Sequence, residues 1–548
     1  MFHMYTRLTY SKKARHPVLQ IVKGVREGKK VKQQIVASLG VIKDKKDLLK
    51  LSKLAENLIE KLEQQGLPKS TKVHLQNLLH KSTIYDGFGL VVDKMLAISG
   101  FSTVLKEAQG KNSFNLEEII KLIIVQRLAL PSSKLRTFER QEEHGFYGID
   151  LHQFYRAMDA IEIFSGHFQQ KAFETVCAFS TAPVDCFFFD VTTLYFESVE
   201  QDALKDFGFS KDQKHHSVQI VLALVVDSEG NPLAYETFKG NLAETKTLLP
   251  VLESLKNRFL IKNVTVVCDR GLASKPNVEA LKNAGFHFVI ATKLRSISKT
   301  ININNRSIYR PLPGQSHLSE EEKILFHTMK HPQYPDTLLI ATYSPSRAAK
   351  DKEDRERLIE KLQKKLGSSS NETSIKKVIS NGGYKKYTTV KTGSLVTLNQ
   401  KSIDEDAAWD GFHGIAVSSS ANLSVEQALM RYKDLWHVEE AFRIAKSTLR
   451  TRPIFHWKAH RIRAHVLLCF MTLFVERFLE YRLRRAGTPL TPDKIRHALS
   501  GVHTLTFEDK ETKRTGKMES ALSEDVKNIF SVLGIPIERS TVLSECCV

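Results

Sequence analysis

Two apolar runs in this sequence end on an aspartate. One is Cys186-Phe187-Phe188-Phe189-Asp190; the other is Val264-Thr265-Val266-Val267-Cys268-Asp269. Short runs of aromatic and β-branched residues favour strands buried on both faces. Such strands belong to sheets covered by helices. A carboxylate delivered by a buried strand has lost water and needs a metal, a cation or hydrogen bonds in exchange. Open α/β sheets place ligands at the carboxyl ends of their strands. The plainer reading gives Asp190 to a turn made by Thr192 and Thr193, and Asp269 to pairing with Arg270 or to capping the next segment.

The segments around these runs set the fold class. Ser217–Val226 and Pro232–Phe238 read as strands joined by a turn at Asp227–Asn231. Thr245–Phe259 and Pro276–Ala284 read as helices, and Phe286–Ala291 as a further strand. The order is β-β-β-α-β-α-β, an α/β sheet with one hairpin. Residues 296–410 break the rhythm. Strands at Leu338–Thr342, Tyr384–Val390 and Ser394–Leu398 surround a charged helix at Arg347–Leu366, so this region reads as an inserted, mainly β subdomain. Gly411–Ser418 is again a strand, Ser424–Leu449 one long helix and Ala464–Glu480 an apolar helix. Upstream, Val18–Val22 and Val31–Ala37 flank a turn at Arg26–Lys29. Helices follow at Lys45–Gln64, Leu116–Leu130 (capped by Asn115) and Phe154–Ala178. After Ser500 the chain is short and mixed.

Charge is concentrated. Net charge is +20, and residues 1–50 carry 13 Lys/Arg against three acids. Residues 441–496 carry another 13 against Glu476, Glu480 and Asp493. These two windows hold the whole excess. Basic segments on a neutral body suit a polyanion, because Lys and Arg neutralise phosphates and release counterions; two solvated basic faces are the alternative. Six cysteines without a CxxC pair argue against a zinc site or a disulfide framework. The apolar stretches fall short of the roughly 20 residues of a membrane span. Met1–Tyr10 has no signal-peptide pattern. A cytoplasmic, nucleoid-associated protein with no membrane partner is expected.

A third acid stands in the predicted helix Ser424–Leu449. Residues seven apart nearly superpose after two turns, so Tyr432, Glu439 and Lys446 fall on one stripe, with Arg443 four residues beyond Glu439. An exposed Glu–Arg pair would explain the same pattern. Together with the two aspartates, however, Glu439 completes a set of hard oxygen donors suited to Mg²⁺ or Mn²⁺.

The sequence resembles the DDE transposases of bacterial insertion sequences, in the branch whose third acid lies in a Tyr-x2-Arg-x3-Glu-x6-Lys signature. Tyr432, Glu439 and Lys446 keep those spacings, and Leu435 stands where the signature has Arg. The resemblance covers about residues 185–480. It implies an RNase H-like core: a mixed sheet flanked by helices, with its second strand antiparallel and a mainly β insertion before the Glu. It implies catalysis and metal binding by Asp190, Asp269 and Glu439, with two Mg²⁺ or Mn²⁺ ions. Tyr432 and Lys446 would hold DNA phosphates, with Arg443 on the same face. Arg450, Arg452, Lys458 and Arg461 follow as DNA-binding candidates. The partners implied are transposon terminal inverted repeats and target DNA, bound by a homodimer.

The expected organisation is a basic β unit that binds DNA (1–42), a helical end-binding region (43–182), a core in two parts (183–295 and 411–500) around the insertion (296–410), and a tail (501–548). The expected reaction is hydrolysis at the element's end, followed by in-line attack of the freed 3′-OH on target DNA. A nuclease that cuts without joining is one rival. A decayed, DNA-binding regulator that keeps the fold is another.

Overall fold

The computed structural model describes residues 4–10, 16–27, 30–64, 73–74, 78–180, 184–209, 216–259, 264–297, 303–319, 321–368, 382–391, 395–510, 513 and 515–537. The chain divides into two compact units. The larger holds Asp93–Lys134 and Asp150–Gly487; the smaller holds Met1–Val92, Leu135–Ile149 and Thr488–Val548.

The larger unit is built on a nine-stranded mixed sheet. Its strands are β1 (Cys186–Tyr195), β2 (Gln219–Val226), β3 (Pro232–Lys239), β4 (Thr265–Cys268), β5 (His287–Ala291), β6 (Arg310–Pro311), β7 (Leu325–Lys330), β8 (Thr337–Tyr343) and β9 (Phe412–Ser418). Across the sheet the order is β6-β7-β8-β9-β5-β4-β1-β2-β3. Strands β1, β4 and β5 are parallel, while β2 runs antiparallel between β1 and β3. The expected β-β-β-α-β-α-β order and the antiparallel second strand are both present. Phe187, Phe188, Phe189, Val266 and Val267 are fully buried, as strands covered on both faces require.

Helices of this unit are α1 (Phe101–Gln109), α2 (Leu116–Ala129), α3 (Leu151–Glu162), α4 (Ser165–Phe179), α5 (Leu248–Phe259), α6 (Lys275–Asn283), α7 (Pro345–Ser368), α8 (Val425–Lys433), α9 (Trp436–Arg443) and α10 (Ala459–Arg485). Asn115 caps α2 by accepting from the Glu118 N–H, as its sequence indicates. Helix α10 is buried nearly all round, with an apolar centre at Val466–Val475, the mark of a core helix. Its Phe470 ring lies 5.1 Å from Tyr235 on β3, and its Phe474 ring 5.2 Å from Phe101 on α1. It therefore sits between sheet and helices. Among the described residues no single helix is long and apolar enough to cross a membrane.

Two expectations need correction. The helix predicted over Phe154–Ala178 is two helices, α3 and α4, parted at Ile163 and Phe164. Ile163 is exposed there, and each helix buries its own stripe: Phe154, Ala157, Met158 and Ile161 on α3, and Phe168, Ala172 and Val176 on α4. The strands of the insertion do not form a separate sheet. Strands β7 and β8 extend the central sheet through β9, leaving only a hairpin at Thr388–Lys391 and Leu395–Leu398 apart. The segment after Ser500 is mixed, as expected. Thr504–Asp509 pairs antiparallel with both Leu78–Ile84 and Thr515–Glu519, and a helix follows at Glu524–Leu533.

In the smaller unit, Met4–Thr9, Val18–Glu27 and Lys30–Val41 form an antiparallel sheet joined at its edge by Val73–His74. Residues Gly28 and Lys29 of the predicted turn lie outside the described residues. The helix Lys45–Gln64 covers this sheet, with Ala55, Leu51 and Leu58 packed on Leu19, Ile21 and Leu39.

Candidate active site

Asp190 and Asp269 are brought to the same level of the sheet. In the parallel pair β1–β4, Phe189 is opposite Cys268, so the next residue on each strand is an aspartate. Neighbouring strands lie about 4.8 Å apart, which sets the two backbones side by side. Strand β4 stops at Cys268, and Asp269 is exposed. Strand β1 does not stop at Asp190, contrary to the sequence reading. It pairs with β2 as far as Tyr195 opposite Gln219, so Asp190 is a half-buried mid-strand residue. The run Val191-Thr192-Thr193-Leu194 is buried and continues the ladder; it is not a turn. Both carboxylates bear on Cys268: its thiol is raised chiefly by burial, and further by Asp269 and Asp190.

Tyr432, at the end of α8, donates its hydroxyl to Oδ1 of Asp269 at 3.4 Å. Burial raises this phenol, and Asp269 raises it further. The His413 ring on β9 lies 5.0 Å from the Tyr432 ring. Burial lowers this imidazole to about 4; Arg347 and Arg270 act in the same direction and Asp269 opposes them. His413 was not singled out from sequence, where it looks like any residue of an apolar strand.

The predicted continuous helix through Tyr432, Glu439 and Lys446 is broken. Helix α8 ends at Lys433 and α9 begins at Trp436. Between them Leu435 N–H bonds to the Tyr432 carbonyl, and Val438 N–H to the Leu435 carbonyl, which are tight three-residue turns. Leu435, the departure from the signature, is buried at this break. Beyond α9 the turn widens into a π-helical segment, Ile444–Thr448, that carries half-buried Lys446. The three residues therefore do not share one straight stripe.

Helix α9 presses Val438, Ala441 and Phe442 inward, with the His437 ring 6.3 Å from Phe188 on β1, and leaves Glu439 exposed. Its other face is pinned from α10. Buried Arg477 reaches Glu440 at 3.2 Å, Glu480 at 2.6 Å and the Gly230 carbonyl at 3.3 Å. Gly230, at φ 82°, has no room for a side chain: an added Cβ would lie 2.5 Å from the Arg477 guanidinium.

The basic candidates separate. Arg450 and Lys458 are exposed. Arg443 pairs with Glu440 at 3.2 Å. The Arg452 guanidinium lies 5.5 Å from the Tyr195 ring centre. Arg461 is committed to Asp159 through two bonds of 2.8 and 2.9 Å and lies over Tyr155, so it braces α10 against α3.

The donor set, carboxylate oxygens, fits a hard divalent ion. The structure brings two acids together, Asp190 and Asp269. Among the described residues no group of three His, Cys, Asp or Glu is close enough to hold a metal ion.

The transposase DDE domain family matches residues 183–475, and the N-terminal domain of the IS1634 family of transposases matches residues 6–72. No curated protein matches the chain. Among solved structures, it is similar to a piggyBac transposase synaptic complex with hairpin DNA (TM-score 0.39, 9% identity, 76% of this chain and 80% of that one). It is also similar to a Mos1 transposase paired-end complex with the left transposon end (TM-score 0.15, 10% identity, 43% of this chain and 66% of that one). Neither likeness, at these scores, bears on the mechanism. The DDE match spans more than half of the chain and coincides with the sheet that aligns Asp190 with Asp269, and the chain belongs to the DDE transposases of bacterial insertion sequences.

Proposed function

We propose that Asp190, Asp269 and Glu439 are the acids of a two-ion site that cuts DNA at the ends of a mobile element and joins the freed 3′-OH to target DNA. DDE transposases catalyse DNA cleavage and strand transfer and generally use divalent metals. The observation that carries the assignment is the register of β1 and β4, which puts Asp190 beside Asp269 where β4 ends. Bound there, a divalent ion supplies Lewis acidity to the attacking and leaving oxygens. Tyr432 orients Asp269 through its hydroxyl. Lys446, Arg450 and Lys458 hold backbone phosphates near the scissile bond and offset the charge that develops there. Arg443 and Arg452 line the approach of the DNA.

In the same reading the basic segment 1–42 and the region 43–182 bind terminal inverted repeats. Two copies act together, and the protein works on DNA in the bacterial cytoplasm. Calorimetric titration of Mn²⁺ into the protein bound to a duplex from its gene's flanks tests the acids. Wild type is expected to take up the ion, with affinity at least about tenfold weaker in Asp190→Asn and in Asp269→Asn. Equal affinity in all three would remove these aspartates from the site.

A further inference from the structure

Two aromatic side chains stand exposed in the most basic stretch of the larger unit. Phe455 is 66% and Trp457 73% exposed, and His456 between them turns inward, its ring 5.4 Å from His465. From Ala441 to Val475 there is no Asp or Glu and there are seven Lys and Arg. The segment is anchored at its start. Arg127 bonds the Leu449 carbonyl at 2.7 Å, and His465 the Thr451 carbonyl at 2.9 Å. Ile454 is buried and bridges to Phe196, just past the end of β1, the strand that carries Asp190. Alternation about Ile454 and His456 therefore aims both aromatic rings outward, away from the core and beside cationic Lys458.

We infer that Phe455 and Trp457 form a stacking platform for unpaired nucleobases of the DNA strand being processed. Exposed aromatic rings lose by facing water, and a base offers each of them a flat apolar face. Rings interleaved with cations suit single-stranded nucleic acid, where phosphates meet the charges and bases meet the rings. Complementary charge selects DNA over an apolar protein partner, since a protein surface would have to supply an acidic lining for this stretch. The platform rests on the reading of the chain as a DNA-processing enzyme. It adds that the strand is opened near the cut.

The test uses the full chain and its Phe455→Ala/Trp457→Ala double variant. Binding is measured to a single-stranded oligonucleotide and to a duplex from the gene's flanks, with 2-aminopurine placed near the end of the element. The double variant is expected to lose at least about tenfold affinity for the single strand and the 2-aminopurine signal. Its duplex affinity is expected to stay within about twofold and its circular dichroism to be unchanged. Unaltered single-strand binding and signal would overturn the platform, as would equal losses on both DNAs. A change in molar mass with the 2-aminopurine signal intact would overturn it too and give the patch to a second copy of the chain. The wild type's binding of the duplex separately checks the reading on which the platform rests.

Discussion

The Tyr432 hydroxyl meets Oδ1 of Asp269 at 3.4 Å, joining the end of α8 to the end of β4. This bond reaches the aspartate one residue past the end of β4. Tyr432→Phe removes the hydroxyl and keeps the ring packed near His413. Loss of about 1 kcal/mol of orientation predicts cleavage roughly fivefold slower with an unchanged melting temperature. A cleavage time course beside a thermal melt checks both parts; an unchanged rate would detach Tyr432 from the site.

Arg477 is the brace that sets α9 against α10 and the β2–β3 turn. Arg477→Met leaves buried Glu480 and half-buried Glu440 without their shared cation. Breaking one side of a buried ion network costs about 3–5 kcal/mol. Denaturant unfolding should show that loss, and a loss under 1 kcal/mol would mean that the network carries little.

Asp227 tests the burial of the β2–β3 turn. It accepts from the Asn231 and Glu229 backbone N–H groups and from the Asn231 side chain, yet burial prevails and raises its carboxyl to about 6. An acid raised in the folded state binds its proton more tightly there than in the unfolded chain. Its contribution to stability is therefore present at pH 4 and is lost as the pH rises through 6. The stability of wild type relative to Asp227→Asn should fall by about 2 kcal/mol between pH 4 and pH 7. Paired denaturant melts measure this difference, which cancels the other acids; a constant difference would contradict the shift.

Arg450 and Arg461 are separated by what they touch. Exposed Arg450 is assigned to phosphate, whereas Arg461 is spent on Asp159. Arg450→Gln should lower the slope of log affinity against log salt by about one, with stability intact. Arg461→Gln should leave that slope alone and cost about 1 kcal/mol of stability, modest because both partners are partly exposed. Salt titrations of binding beside thermal melts distinguish the two, and exchanged outcomes would reverse the roles.

The strands and their order were legible because buried strands are written locally, as in Phe187–Phe189 and Val264–Val267. The two strand aspartates stand out for the same reason, each being the first charge after an apolar run. The continuation of β1 past Asp190 was not, since Thr192-Thr193 reads as a turn until its pairing with β2 is seen. Neither Pro nor Gly marks the break at Leu435, where a buried leucine stands between two helices. Pairing of Thr504–Asp509 with Leu78–Ile84 joins residues more than 400 apart, which no local pattern encodes. The pairing of Arg461 with Asp159 was not legible either, since the two lie about 300 residues apart in sequence.

The most direct test is Mg²⁺-dependent cleavage and joining on a plasmid that carries this gene with its native flanking DNA, with wild type beside Asp269→Asn. Wild type should cut at both ends of the element and give joined products, while the variant binds the ends and does neither. Equal cutting and joining by Asp269→Asn would contradict the assignment of the aspartate pair as the catalytic centre.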